Sequence, residues 1–121
     1  MKTPLGSESK EIIREFIYKQ YAPTIFLDRV EFFANIMNLK PKKVSFRKAK
    51  TRWGSCSSTN NISLNIALTA LPQTLSDYII IHELAHIKHK NHSKDFWNYV
   101  AQYYPNYKQA RKKLKDFSAI I

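Results

Sequence analysis

"IIIHELAHIKHKNH", residues 79–92, decides how this chain folds, because its local preference and its chemistry disagree. Three consecutive isoleucines favour a strand. The same segment holds all four histidines of the chain, His82, His86, His89 and His92. If His82 and His86 share a ligand, the strand is excluded. Residues four apart on a strand lie about 13 Å from each other. On a helix the rise over four residues is about 6 Å and the side chains stack on one face. Zinc–nitrogen bonds of about 2.0–2.1 Å need ligand nitrogens within roughly 4 Å of one another. The spacing therefore predicts a helix. With Ile79, Ile80, Ile81 and Leu84 spread beyond one stripe, it is a buried helix.

"HELAH" is the H-E-x-x-H pattern, in which two imidazoles one turn apart bind zinc and the glutamate deprotonates the water that the metal activates. The candidates are His82 and His86 as ligands and Glu83 as general base. A match of five residues arises by chance on exposed helices, but a glutamate in an apolar helix is costly to bury unless something uses it. A catalytic zinc needs a third protein ligand and one open position. His92 lies ten residues after His82. A helix running to about His89, ended by Asn91 in the left-handed conformation, would let His92 return to the metal from outside. His89 reads either as an exposed helix-end residue or, one turn beyond His86, as a proton carrier or substrate contact.

Outward from this segment, the chain divides into short helical and strand patterns without a repeat or linker. "SESKEIIREFIYKQYA" predicts a helix with Ile12, Ile13, Phe16 and Ile17 as its stripe, Ser7 or Ser9 as N-cap and Pro23 as its end. "TIFLDRVEFFANIMN" predicts a second, with Ile25, Val30, Phe33, Ile36 and Met37 in register. Val44 and Phe46 alternate with basic residues, the period of a half-exposed strand. "TRWGSCSSTNNISLNIAL" reads as two strands about a Ser-Thr-Asn-Asn turn. In it, Arg52 and Trp53 are candidate substrate contacts on a sheet edge to which a peptide could add as a strand, or else an ion-pair partner and a core residue. Downstream, Ser93 caps a helix that places Phe96 and Trp97 against the active one, Pro105 ends it, and "NYKQARKKLKDFSAI" forms the last. Asp77, Asn65 and Asp95 are candidate acceptors for the second ring nitrogen of a ligand histidine.

The 121 residues, 44% apolar and 13% aromatic, suit one domain spanning 1–121, with a helical part to residue 40 and a catalytic segment at 41–121. One cysteine, Cys56, excludes an internal disulfide and agrees with a cytoplasmic location; it reads as a packing residue, not a ligand. No signal peptide or membrane span is expected. The charge is lopsided, 20 Lys and Arg against 9 Asp and Glu. Basic residues crowd Lys40–Arg52 and Lys108–Lys115, which suggests a nucleic-acid partner, an acidic protein segment or a merely solvated face.

"RWGSCS", "ISLN", "DYIIIHELAH", "KHKNHSKDFW" and the Tyr-Pro pair of "YYPNY", in this order, resemble the catalytic segment of YgjP-like zinc metallopeptidases, relatives of the SprT-like and WLM peptidases. The likeness runs from about Val44 to Leu114. It implies an α+β zincin-like domain, with a short antiparallel sheet packed by helices, one zinc held by His82, His86 and His92, and Glu83 as base. Two helices stand where typical members have a β-rich segment. The expected activity is hydrolysis of protein or peptide. The alternatives are a zinc hydrolase of a nucleotide phosphoanhydride, which lacks a Gly-rich phosphate cradle, and a nucleic-acid-binding module with a structural zinc, which would want more cysteines.

Overall fold

The computed structural model describes residues 7–121, with side chains from Lys10 onward. Its elements are α1 (Ser7–Met37), β1 (Lys43–Arg47), β2 (Gly54–Cys56), β3 (Asn61–Asn65), a 3-10 turn (Ile66–Ala70), α2 (Gln73–Lys88), α3 (Lys94–Tyr103), α4 (Tyr107–Leu114) and a closing 3-10 segment (Lys115–Ile120). The α+β class is as the sequence implies. The sheet has the order β1-β3-β2 and is mixed, antiparallel between β2 and β3 but parallel between β1 and β3. The expectation of a wholly antiparallel sheet is corrected there. The hairpin residues 57–60 reverse the chain as expected, with Asn60 at φ 67°.

The largest departure is at the start. Two helices separated at Pro23 were expected, and α1 is one helix of 31 residues with Pro23 inside it. An internal proline removes a hydrogen bond and costs about 3 kcal/mol. Ala22, Phe26, Val30, Ala34 and Met37 form a continuous buried stripe across it. Full burial of side chains the size of Phe26, Val30 and Met37 contributes about 1.5–3 kcal/mol each, which outweighs the proline. The first expected stripe turns outward instead, with Ile12 and Phe16 68% and 67% exposed; of the second, Val30 and Met37 are buried and Ile25 and Ile36 face solvent. The caps expected at Ser7 or Ser9 involve side chains outside the described part. At its other end α1 closes with Asn38 at φ 55°, the Asn38 amide on the Asn35 carbonyl and the Leu39 amide on that of Ala34. This is the paired-bond arrangement that ends helices at a left-handed residue.

Helix α2 is buried along most of its length, with Ile79, Ile80, Ile81, Leu84 and Ala85 all in the core. It packs between α1 on one side and β2, α3 and α4 on the others. Arg29 of α1 grips Asp77 of α2 through two nitrogens, at 3.1 and 2.8 Å. Asp77, a candidate acceptor for a ligand ring, therefore serves the seam between helices. Ile80 is 1% exposed, and Ile80→Ala is expected to lower unfolding free energy by about 2–5 kcal/mol. Urea denaturation checks this as a lower midpoint at an unchanged slope.

Candidate metal centre

Helix α2 ends at Lys88, and His89 follows with extended backbone. The terminator expected at Asn91 is absent, since the positive-φ residues among those described are Asn38 and Asn60. The chain nonetheless turns back, and Ser93 accepts a hydrogen bond from the Phe96 amide to begin α3. His92 thereby faces the two histidines of α2. The Nε2 atom of His92 lies 3.0 Å from that of His86 and 3.1 Å from that of His82. Phe96, fully buried, lies under the group: its ring stacks on His86 at 4.4 Å and meets His82 and His92 edge-on. Trp97 stacks on His92 at 5.7 Å and on Tyr107 at 5.1 Å, so His92 is held by packing although exposed.

The outer ring nitrogens decide what the inner ones can do. His86 Nδ1 lies 3.0 Å from the His89 carbonyl, an acceptor only, so it donates and leaves Nε2 as a bare lone pair. His82 Nδ1 is 3.1 Å from the Tyr78 hydroxyl. Burial pushes that hydroxyl well above its ordinary value and keeps it protonated. Burial first, then the neighbouring His86 and His92, pull His82 down to about 3, so it stays neutral. Burial also lowers His86, against the pull of the His89 carbonyl. Tetrahedral bonds of about 2.0–2.1 Å separate ligand nitrogens by roughly 3.3–3.4 Å, within a few tenths of an ångström of the observed distances. Neutral imidazoles converging at this spacing fit a divalent cation such as zinc.

Glu83 is 7% exposed and sits in the wall of an open cleft of about 530 Å³ that it shares with His82, Tyr78, Ile79, Arg52, Trp53 and Gly54. Burial raises its carboxyl to about 7, with the Arg52 guanidinium pulling the other way. Gly54 makes the position available: a Cβ there would stand 3.0 Å from Glu83 Cγ and 3.2 Å from the Ser63 carbonyl. Asn65, the second residue considered as a ring acceptor, instead ties the preceding loop. Its Nδ2 donates to the Ala49 and Arg52 carbonyls at 2.9 Å, and its Oδ1 accepts from the Ala67 amide. That bracing sets Arg52 and Trp53 in the cleft wall, next to edge strand β2. His89 is not in the cleft; its ring meets Tyr99 edge-on at 5.5 Å, and what it brings to the site is its carbonyl. Cys56 lies outside the histidine group, its thiol pushed up by burial. Asp95 is exposed in the first turn of α3. Tyr78 and the His89 carbonyl went unmarked in the sequence, and Gly54 reads there only as a point where the strand can bulge or a backbone approach closely. The i, i+4 spacing of Tyr78 and His82 was the one signal that could have flagged any of them.

An H-E-x-x-H helix against a small sheet, with three ring nitrogens converging as the ligands of one cation would, fits metal-dependent hydrolases of zincin architecture. The chain belongs to the YgjP-like family, whose metallopeptidase domain matches residues 3–117 and so takes in α1 as well as the segment from Val44 onward. The structure is similar to the metallopeptidase zymogen of Pyrococcus abyssi abylysin, with a TM-score of 0.67 and 28% identity over 74% of this chain and 91% of that one. It is also similar to the zymogen of Methanocaldococcus jannaschii jannalysin, with a TM-score of 0.66 and 27% identity over 79% and 97%. Comparison with curated proteins gives no match. This protein is a metallopeptidase. Among the described residues no helix is long and apolar enough to cross a membrane.

Two substitutions separate the roles of the site's supports. Tyr78→Phe removes the partner of His82 Nδ1 and is expected to weaken metal affinity about 10–100-fold, read by competition with a chromogenic chelator. Gly54→Ala displaces Glu83 and leaves the histidines untouched. It is expected to lower kcat/KM by about 100-fold, the cost of a misplaced reacting group, with metal affinity within twofold or so of the parent.

Proposed function

We propose that the protein, acting as one unit over 1–121, is a zinc-dependent peptidase with one zinc per chain held by His82, His86 and His92, and with Glu83 as its general base. The observation that carries this is the meeting of three imidazole Nε2 atoms, two of their contacts at 3.0 and 3.1 Å, beside a buried carboxylate at an open cleft. A zinc ion there would supply Lewis acidity, polarising a carbonyl and lowering the pKa of water toward neutrality.

The protein's own groups do the rest. Tyr78 and the His89 carbonyl fix the two α2 imidazoles in the orientation that points Nε2 inward. Phe96 and Trp97 exclude water from beneath them. Glu83, its carboxyl raised by burial to about 7, is suited to take a proton from the attacking water near neutral pH and return it to the leaving amine. Arg52 limits that rise and keeps the carboxylate form accessible. Edge strand β2 can take an extended peptide by strand addition, with Trp53 beside it. The basic segments by themselves support neither phosphoanhydride cleavage nor a nucleic-acid-binding module.

The test is a pair of variants. Glu83→Gln is expected to retain about one zinc per chain by elemental analysis and to lose hydrolysis by three or more orders of magnitude, roughly the contribution of a positioned acid–base group with its proton relay. His92→Ala is expected to lose the metal and, with it, the stabilisation that bound metal gives the fold. Near-parental hydrolysis by the Glu83→Gln protein overturns the role of that residue.

A further inference from the structure

The cleft beside His82 and Glu83 is walled on its far side by α4 and the residue after it. Lys108, Arg111, Lys112 and Lys115 all line it, and Arg52 faces them from the β2 side. Glu83 is the one carboxylate among the lining residues. Among the described residues none of these five cations forms a salt bridge; the ion pairs involve Lys19, Arg29 and Lys48. Their spacing places the four on one face of the helix, at i, i+3, i+4 and i+7, where like charges repel. Lys108 also stands in the first turn of α4, which has no acidic residue, and the helix dipole disfavours a cation there. Folding gains nothing from Lys108 or from the like-charge spacing, although Arg111 and Lys112, in the last turn, suit the helix dipole. Arg111 is set in place, its guanidinium 4.4 Å over the Trp97 ring that stacks on His92.

We infer that this wall is a substrate-recognition surface for acidic peptide segments, bound extended between β2 and α4 with carboxylate side chains directed at the α4 cations. The inference rests on the peptidase reading of the same site. Seven residues of helix advance about 10 Å, the length of about three residues of extended chain. The cation row therefore matches two side chains on alternate positions of one peptide face, more than a single terminal carboxylate uses. Of the basic residues crowded at Lys40–Arg52, only Arg52 belongs to this wall.

The experiment measures fluorescence anisotropy of short peptides, capped at both ends, with alternating Glu or with Gln in its place, on zinc-loaded Glu83→Gln protein. The Glu peptide is expected to bind about tenfold or more tightly, and the advantage to shrink between about 50 and 200 mM salt as charges are screened. In Lys108→Gln/Lys112→Gln/Lys115→Gln the ratio of the two affinities is expected to fall toward one. Lys43→Gln/Lys50→Gln/Lys113→Gln, which removes the same charge outside the cleft, is expected to keep it. Circular dichroism confirms that both triple variants fold. Equal binding of the two peptides overturns the inference, as does a preference that survives the first variant or falls equally in both. A preference that appears only with an uncapped C-terminus transfers the site to a terminal carboxylate and overturns it too. So does tighter, cleft-dependent binding of single-stranded DNA. Hydrolysis by the metal-loaded parent separates the two readings. Discriminating binding with neither peptide cut keeps the acidic ligand and overturns the peptidase reaction; equal cutting of both keeps the reaction and overturns the preference.

Discussion

Three imidazoles aimed at one point make a demand that the rest of the molecule answers. The inward Nε2 atoms stand 3.0 and 3.1 Å apart, and each α2 ring satisfies its second nitrogen away from the centre. His86 satisfies it on the His89 carbonyl, which is available because α2 stops at Lys88 and His89 is extended. His82 satisfies it on Tyr78, one turn earlier on the same helix. His92 has Trp97 stacked on it, and Trp97 is clasped in turn by Tyr107 and Arg111. The end of one helix, the start of the next and the contact with a third are therefore all set by where three nitrogens must go. The buried apolar surface of α2 keeps that frame rigid, with Ile80, Ile81 and Leu84 almost wholly withdrawn from water.

The histidines were legible because their chemistry overrides local preference: an isoleucine run that favours a strand can bring His82 and His86 together only as a helix. Their supports were harder to read, for physical reasons. A carbonyl acceptor such as that of His89 carries no side-chain signature. Gly54 matters because a Cβ there would stand 3.0 Å from Glu83, 29 positions away in the chain, which no local pattern encodes. Asp77 and Asn65 had the right chemistry for ring acceptors. Each is engaged elsewhere, in the Arg29 pair and in the bracing of the Arg52 loop, because those partners come from distant parts of the fold.

The same division holds for the scaffold. Strand periodicity at Val44 and Phe46 and the turn before Asn61 were local and were read correctly. The parallel pairing of β1 with β3 was not, since strand order is set by how the sheet packs against helices and not by the residues of either strand. Pro23 misled for the converse reason: its local cost is real, and a long buried stripe from Ala22 to Met37 exceeds it.

Charge follows a third logic. Arg52 reaches the site by bracing through Asn65, Arg111 through its contact with Trp97, and the α4 lysines through helical spacing alone. Arg111 thus differs from the solvated cations in having its position fixed by Trp97, which also stacks on His92. A guanidinium held over an aromatic ring loses little further freedom on meeting a carboxylate, so less of the interaction is spent on ordering it. Arg111 also bears on His82, where its field adds to burial in keeping the ring neutral. One residue therefore links the basic wall to the ligand set. A substrate carboxylate seated there would offset the positive field that His82 experiences, coupling what the cleft holds to how strongly the imidazole donates to a metal.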